Sequence, residues 1–268
     1  MTAPILSRGD IEQIAKKILS VYTEAYVPEN HLCYQVEPEK LADVLGLEVD
    51  YQILSLDGSI LGVTSPDEQF VTIYMENEGC LYYLDGNTIL IDGRLCLSPR
   101  NAGRKNYTLT HEISHQVLYK AFPGHFASAQ QLMYHTRKKA KEHRAVTDWT
   151  EWQADALAAA LLMPENAIRE GMFLVGLGEH IGTLSKKYTP NKYESFCRLA
   201  EVLGASKSAL SFRMEQLGLL DRNLLYKQLV PGVSSLTVAK WNLLTRSQGL
   251  GGSPVVYASQ MAAINAEL

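Results

Sequence analysis

The stretch that decides the fold is Tyr107-Thr108-Leu109-Thr110-His111-Glu112-Ile113-Ser114-His115-Gln116-Val117, which reads as one helix carrying the pattern HExxH. On a helix advancing about 100° per residue, His115 projects about 40° from His111 and Glu112 about 100° from it, so all three share one sector. Two imidazoles can then grip one ion. Leu109, Ile113 and Val117 fall near the opposite side of the wheel, so this helix is expected to bury one face and present the other to a cleft. At this chain's own His and Glu content, about 0.01 such triplets are expected by chance. Composition alone does not explain the motif.

Downstream, Trp149 to Pro164 reads as a second helix, with Glu151 and Asp155 one turn apart on the same face and Leu157, Leu161 and Leu162 available to pack. A catalytic zinc commonly takes three protein ligands and keeps one position for water, and two histidines with a glutamate form one of its standard sets. Glu151 can supply the third ligand. Asp155 can accept a hydrogen bond from the distal nitrogen of a zinc-bound histidine. The competing reading makes both acids the polar stripe of an alanine-rich helix. His125, after Pro123-Gly124, is a rival third ligand, but the pattern HExxHxxGxxH would need a glycine and a histidine where this chain has Leu118 and Ala121. His135, His143 and His180 read as surface or hydrogen-bonding histidines.

Upstream, Asp10 with Gln13 is expected to cap a helix on which Ile11, Ile14, Ile18 and Tyr22 recur at helical spacing. A second helix opens at Pro38, carries Leu41, Ala42 and Leu45, and stops at Gly46. Strand patterns follow at Leu47 to Ile53, Ile60 to Thr64, Gln69 to Met75, and Cys80 to Leu84, the last turning through Asp85-Gly86-Asn87 into Thr88 to Ile91. The expected architecture is α+β, a small antiparallel sheet packed with a helical part. Residues 1–220 form the main domain, with lead-in helices and sheet in 1–100 and the helical part in 105–220; 221–268 form a C-terminal extension.

Phe196 to Leu217 has helix-turn-helix spacing, with the turn at Gly204-Ala205-Ser206. Its second helix would offer Lys207, Ser208, Ser211 and Arg213 to a DNA groove. The pair carries few cations, so packing against the rest of the protein is the favoured role.

The 268 residues hold 25 Lys+Arg against 29 Asp+Glu, which excludes bulk nucleic-acid binding, although Arg137 to Arg144 forms a local basic stretch. No apolar run reaches the length of a membrane span, and Met1 to Asp10 has no signal core, so the expected location is the cytoplasm. Cys33, Cys80, Cys96 and Cys197 lack metal or disulfide spacing and read as reduced thiols.

The string Tyr107-Thr108-Leu109-Thr110-His111-Glu112-Ile113-Ser114-His115, together with Glu151-Trp152-Gln153-Ala154-Asp155 and Leu161-Leu162-Met163-Pro164, resembles the ImmA/IrrE family of metallopeptidases. The family pattern is an aromatic residue before TLAHELGH, then ExxAN or ExxAD leading to LLMP, and the resemblance spans about residues 8–220. It implies a gluzincin-like, zincin-type core with one Zn²⁺ held by His111, His115 and Glu151, and Glu112 as catalytic base. It also implies cleavage of helix-turn-helix transcriptional repressors, so that genes are derepressed. Metal-assisted hydrolysis needs a further oxyanion donor, for which Tyr119, His125, Tyr134 and His180 have suitable chemistry. A DNA-binding regulator, or a zinc-binding protein without peptidase activity, is the alternative. The stretch between His115 and Glu151 is longer than the family pattern and contains the basic residues 137–144.

Overall fold

Thr88-Ile89-Leu90-Ile91-Asp92 is an apolar run between polar ends, and the structure buries all five residues in the middle of a sheet. That structure is a computed structural model and describes residues 6–29, 34–123, 133–136 and 149–221. The sheet contains β1 (Glu48–Gln52), β2 (Ile60–Thr64), β5 (Thr88–Asp92) and β6 (Met133–Thr136), in the order β1-β5-β2-β6. β5 runs antiparallel to β2, and β2 antiparallel to β6, but β5 is parallel to β1. The expected antiparallel sheet is therefore mixed. The chain between Gln52 and Thr88 is long enough to make the crossover that a parallel pair requires.

That intervening chain contains a separate hairpin, β3 (Glu68–Met75) with β4 (Glu78–Asp85). Its turn residues, Glu76 and Asn77, have φ of 50° and 70°, the left-handed pair that suits a tight hairpin. The expected hairpin through Asp85-Gly86-Asn87 does not form. Instead the turn passes the chain from hairpin to sheet, because β4 is paired to β3 and both edges of β5 are taken by β1 and β2. Leu54, Val63, Val71, Ile73, Leu84 and Leu90 fill the space between the two sheets.

On the other face, Leu61, Ile89 and Ile91 meet a helical layer. It contains α1 (Arg8–Tyr26), α2 (Pro38–Val44), α3 (Ala102–Ala121) and α4 (Trp149–Leu162). The cap of α1 is Ser7 rather than Asp10. Ser7 Oγ accepts from the Asp10 amide, and the Asp10 carboxylate accepts from the Ser7 amide, so Asp10 is the third residue of a reciprocal box. Pro164 ends α4, and α5 (Glu165–Leu174), α6 (Pro190–Val202) and α7 (Lys207–Gln216) enclose a second core around Leu162, Ile168, Phe196, Leu210 and Met214.

The helix-turn-helix-like pair is α6 and α7. Gly204 takes φ 63° at its turn, and Ser206 Oγ accepts from the Ala209 amide. The pair is docked onto α3: Asn106 donates to the Gly204 carbonyl at 3.0 Å, and a Cβ on Gly103 would stand 2.6 Å from the Ser206 nitrogen. Arg213 is 4% exposed, makes a two-pronged ion pair with Glu12 of α1 and donates to the Met163 carbonyl. It is therefore not offered to a DNA groove, as the alternative, DNA-binding reading of this helix would require. Among the described residues no helix is long and apolar enough to cross a membrane, and Cys80, Cys96 and Cys197 are free thiols. Cys33, the stretch 137–144 and the extension beyond Asp221 lie outside the described residues.

Candidate metal centre

α3 brings the two histidines together because i and i+4 side chains lie one above the other on a helix. His111 Nε2 and His115 Nε2 stand 3.0 Å apart. α4 packs across them and delivers Glu151, whose Oε2 is 3.5 Å from His111 Nε2 and whose Oε1 is 3.2 Å from His115 Nε2. These three residues form a group able to hold a metal ion. Asp155, one turn along α4, places Oδ1 3.0 Å from His111 Nδ1. The ring nitrogen that faces away from the donor group thus lies within ion-pair distance of a carboxylate, the position such a group usually takes beside a metal-ligating histidine.

The expectation that the HExxH face opens onto a cleft needs correction. Leu109 and Ile113 are buried, but so are His111, Glu112 and His115. The polar face is covered because β2 and α4 close over it, and exposure enters only at Glu151 and Asp155, whose side chains are 20% and 25% exposed. Glu112 is fully enclosed, and neither carboxylate oxygen has a hydrogen-bond partner among the described residues.

These surroundings set the charges. Burial opposes charge on His111, but the Asp155 and Glu151 carboxylates outweigh it and raise its pKa to about 10. Burial, then the charge on His111, pushes His115 below the usual histidine range, although Glu151 accepts a hydrogen bond from it. The two rings are thus pushed in opposite directions, His111 toward the charged form and His115 toward the neutral one. Burial works against Glu151 ionising, yet hydrogen bonds from His111 and His115 keep it far below the ordinary carboxylate range. Glu112 is pushed up to about 8 by burial, partly relieved by His111 and reinforced by the charge on Glu151.

Two contributors were not singled out from the sequence. Gly62 of β2 lies so close to α3 that a Cβ there would stand 2.8 Å from Glu112 Oε1 and 3.0 Å from Thr108 Cγ2. A glycine inside a strand pattern is the available signal for such an approach. Tyr107, quoted above only as the aromatic residue that opens the HExxH string, donates its hydroxyl to Asp155 Oδ1 and to the Asp155 carbonyl, each at 3.3 Å, a role hinted at by its position four residues before His111 on the same helix.

Of the four candidate oxyanion donors, Tyr119 engages Asp67 and His180 pairs with Asp221 at the surface. His125 and the Tyr134 side chain lie outside the described residues, as do His143 and the His135 side chain. Compared with known proteins, the chain matches no family model and no curated protein.

Asp155→Asn keeps the side-chain volume but removes the charge that fixes the His111 ring. Metal affinity is expected to fall by about 10- to 100-fold with the fold retained, measured by competition with a chromogenic chelator.

Proposed function

We propose that the chain is a zinc-dependent endopeptidase that acts on a protein substrate in the cytoplasm. The observation that carries this reading is the convergence of His111, His115 and Glu151, with Asp155 orienting His111 from behind. Tetrahedral zinc with ligands at about 2.0–2.2 Å needs donors roughly 3.3–3.5 Å apart. The three donor separations of 3.0, 3.2 and 3.5 Å lie within about 0.3 Å of that range, a small side-chain adjustment from holding such an ion. Calcium, which takes six to eight oxygens at about 2.3–2.6 Å, fits the nitrogen-rich set poorly.

Bound there, zinc supplies Lewis acidity toward a peptide carbonyl and makes water more acidic. Glu112 is the residue suited to the proton. Its oxygens have no competing partner among the described residues, and the charge of a bound metal would oppose the upward push of burial, so that the ionised carboxylate could take a proton from the attacking water and return it to the departing amine. Asp155 and Tyr107 hold the His111 ring while this happens. The resemblance to the ImmA/IrrE pattern adds the substrate class: a helix-turn-helix transcriptional repressor whose cleavage relieves repression.

A DNA-binding role for the chain itself is disfavoured, because Arg213 is enclosed in its ion pair with Glu12. The test is co-expression with a small helix-turn-helix repressor encoded next to it, with fragments identified by mass spectrometry. Internal cleavage by the wild type and none by Glu112→Gln is the expected result. Intact repressor with the wild type, or the same fragments with both, would contradict the reading.

A further inference from the structure

A cleft of about 1580 Å³ runs beside the metal centre, bounded by α1, the start of α3, α4 and the α6–α7 pair. It reaches Asp155, which orients His111, but none of the three metal donors lines it. Small-molecule pockets are commonly about 300–1,000 Å³, so this volume suits a length of polypeptide.

Its charge is uneven. Arg8 of α1, Arg100 just before α3, Arg104 of α3 and Lys207 of α7 line it, and none has an ion-pair partner among the described residues. Lys207 rests over the Tyr193 ring. The lining acids are Asp155, Glu201 and Glu12, and Arg213 already neutralises the last. Trp152 and the exposed Phe212 add apolar surface, and Thr108 contributes a buried hydroxyl without a hydrogen-bond partner among the described residues.

We propose that this cleft docks an acidic, partly apolar segment of the protein substrate beside the metal centre. The inference rests on the endopeptidase reading, which it extends by naming what the substrate must present. The chain's own remaining segments are poor occupants. In residues 124–132, 137–148 and 222–268 the only acids are Glu142, Asp148 and Glu267, and Lys and Arg outnumber them. Duplex DNA is a poorer match than a peptide, because proteins that bind it through phosphates often make about 6–10 such contacts, and this concave wall offers four cations, unpaired among the described residues, beside two acids.

The test is fluorescence anisotropy on the full chain, with and without zinc, using a fluorescein-labelled Glu-Leu-Ser repeat peptide. Its Lys-Leu-Ser counterpart and a short DNA duplex are the comparisons. The acidic peptide is expected to bind, and more weakly as salt rises. Arg104→Glu with Lys207→Glu should weaken binding by at least about tenfold, as should Arg8→Glu with Arg100→Glu, while Lys138→Glu with Lys139→Glu changes nothing. Thermal melts check that each variant is folded.

Absent binding, equal binding by both cleft variants, equal binding of the lysine peptide, or displacement of the acidic peptide by equimolar duplex would overturn the proposal. A chain that cleaves its repressor with zinc bound but ignores the acidic peptide refutes this inference and leaves the peptidase reading intact. One that binds the peptide but no zinc does the reverse.

Discussion

Glu112→Gln is expected to keep the metal and to lower cleavage of a proven substrate by about 10²- to 10⁴-fold, the usual contribution of a positioned proton-transfer group. The substitution preserves shape, and Glu112 is not among the converging donors, so binding of the ion should survive. An amide cannot accept the proton from water. The same change carries a second signature. Both Glu112 oxygens are buried without partners among the described residues, and Gly62 leaves no room for the side chain to move toward β2. Because burial pushes Glu112 up to about 8, the metal-free chain at pH 7 already holds it largely neutral, and glutamine exchanges one neutral group for another of the same shape, so the metal-free variant should melt close to the wild type. Lower cleavage with unchanged zinc content and undiminished stability marks a group held in place for chemistry. Lower cleavage together with a large drop in melting temperature would mark a structural residue.

Arg213→Ala is expected to cost about 3 kcal/mol of stability, measured by urea unfolding. The guanidinium joins α7 to Glu12 on α1 and to the Met163 carbonyl at the end of α4, so three helices lose a common partner. Glu12 is 39% exposed on its side chain and regains part of its hydration, which keeps the cost below the upper range for a fully buried pair. Arg213→Lys keeps the charge but not the two-pronged geometry and should lie between the two. A cost under about 0.5 kcal/mol for the alanine variant would contradict the enclosed-pair description.

The parts of the molecule legible in the sequence are those fixed by local periodicity. α3 and α4 follow from the spacing of His111, Glu112 and His115 and of Glu151 and Asp155, because one helical turn determines which side chains meet. Strand positions were similarly readable, but their partners were not. The parallel pairing of β1 with β5 depends on a crossover, and the fate of the Asp85-Gly86-Asn87 turn depends on which strands had already occupied the edges of β5. The cap of α1 was displaced from Ser7 to Asp10 because both members of a reciprocal box are capping residue types. The burial of the whole HExxH face, the closeness of Gly62 and the reach of Tyr107 to Asp155 arise only when distant segments pack. Arg213 shows the same limit: on the sequence it is one cation of a recognition helix, and in the fold its position beside Glu12 decides its role.

Calorimetric titration of Zn²⁺ into the metal-stripped full chain tests the metal centre most directly. The expected result is one ion per chain, with net release of protons at pH 7, since a ligating imidazole must be neutral and both His111 and Glu112 are pushed up in the metal-free chain. His111→Ala should lower the affinity by more than about 100-fold, exceeding the loss of an orienting partner. No saturable binding by the wild type, or undiminished binding by His111→Ala, would contradict the account.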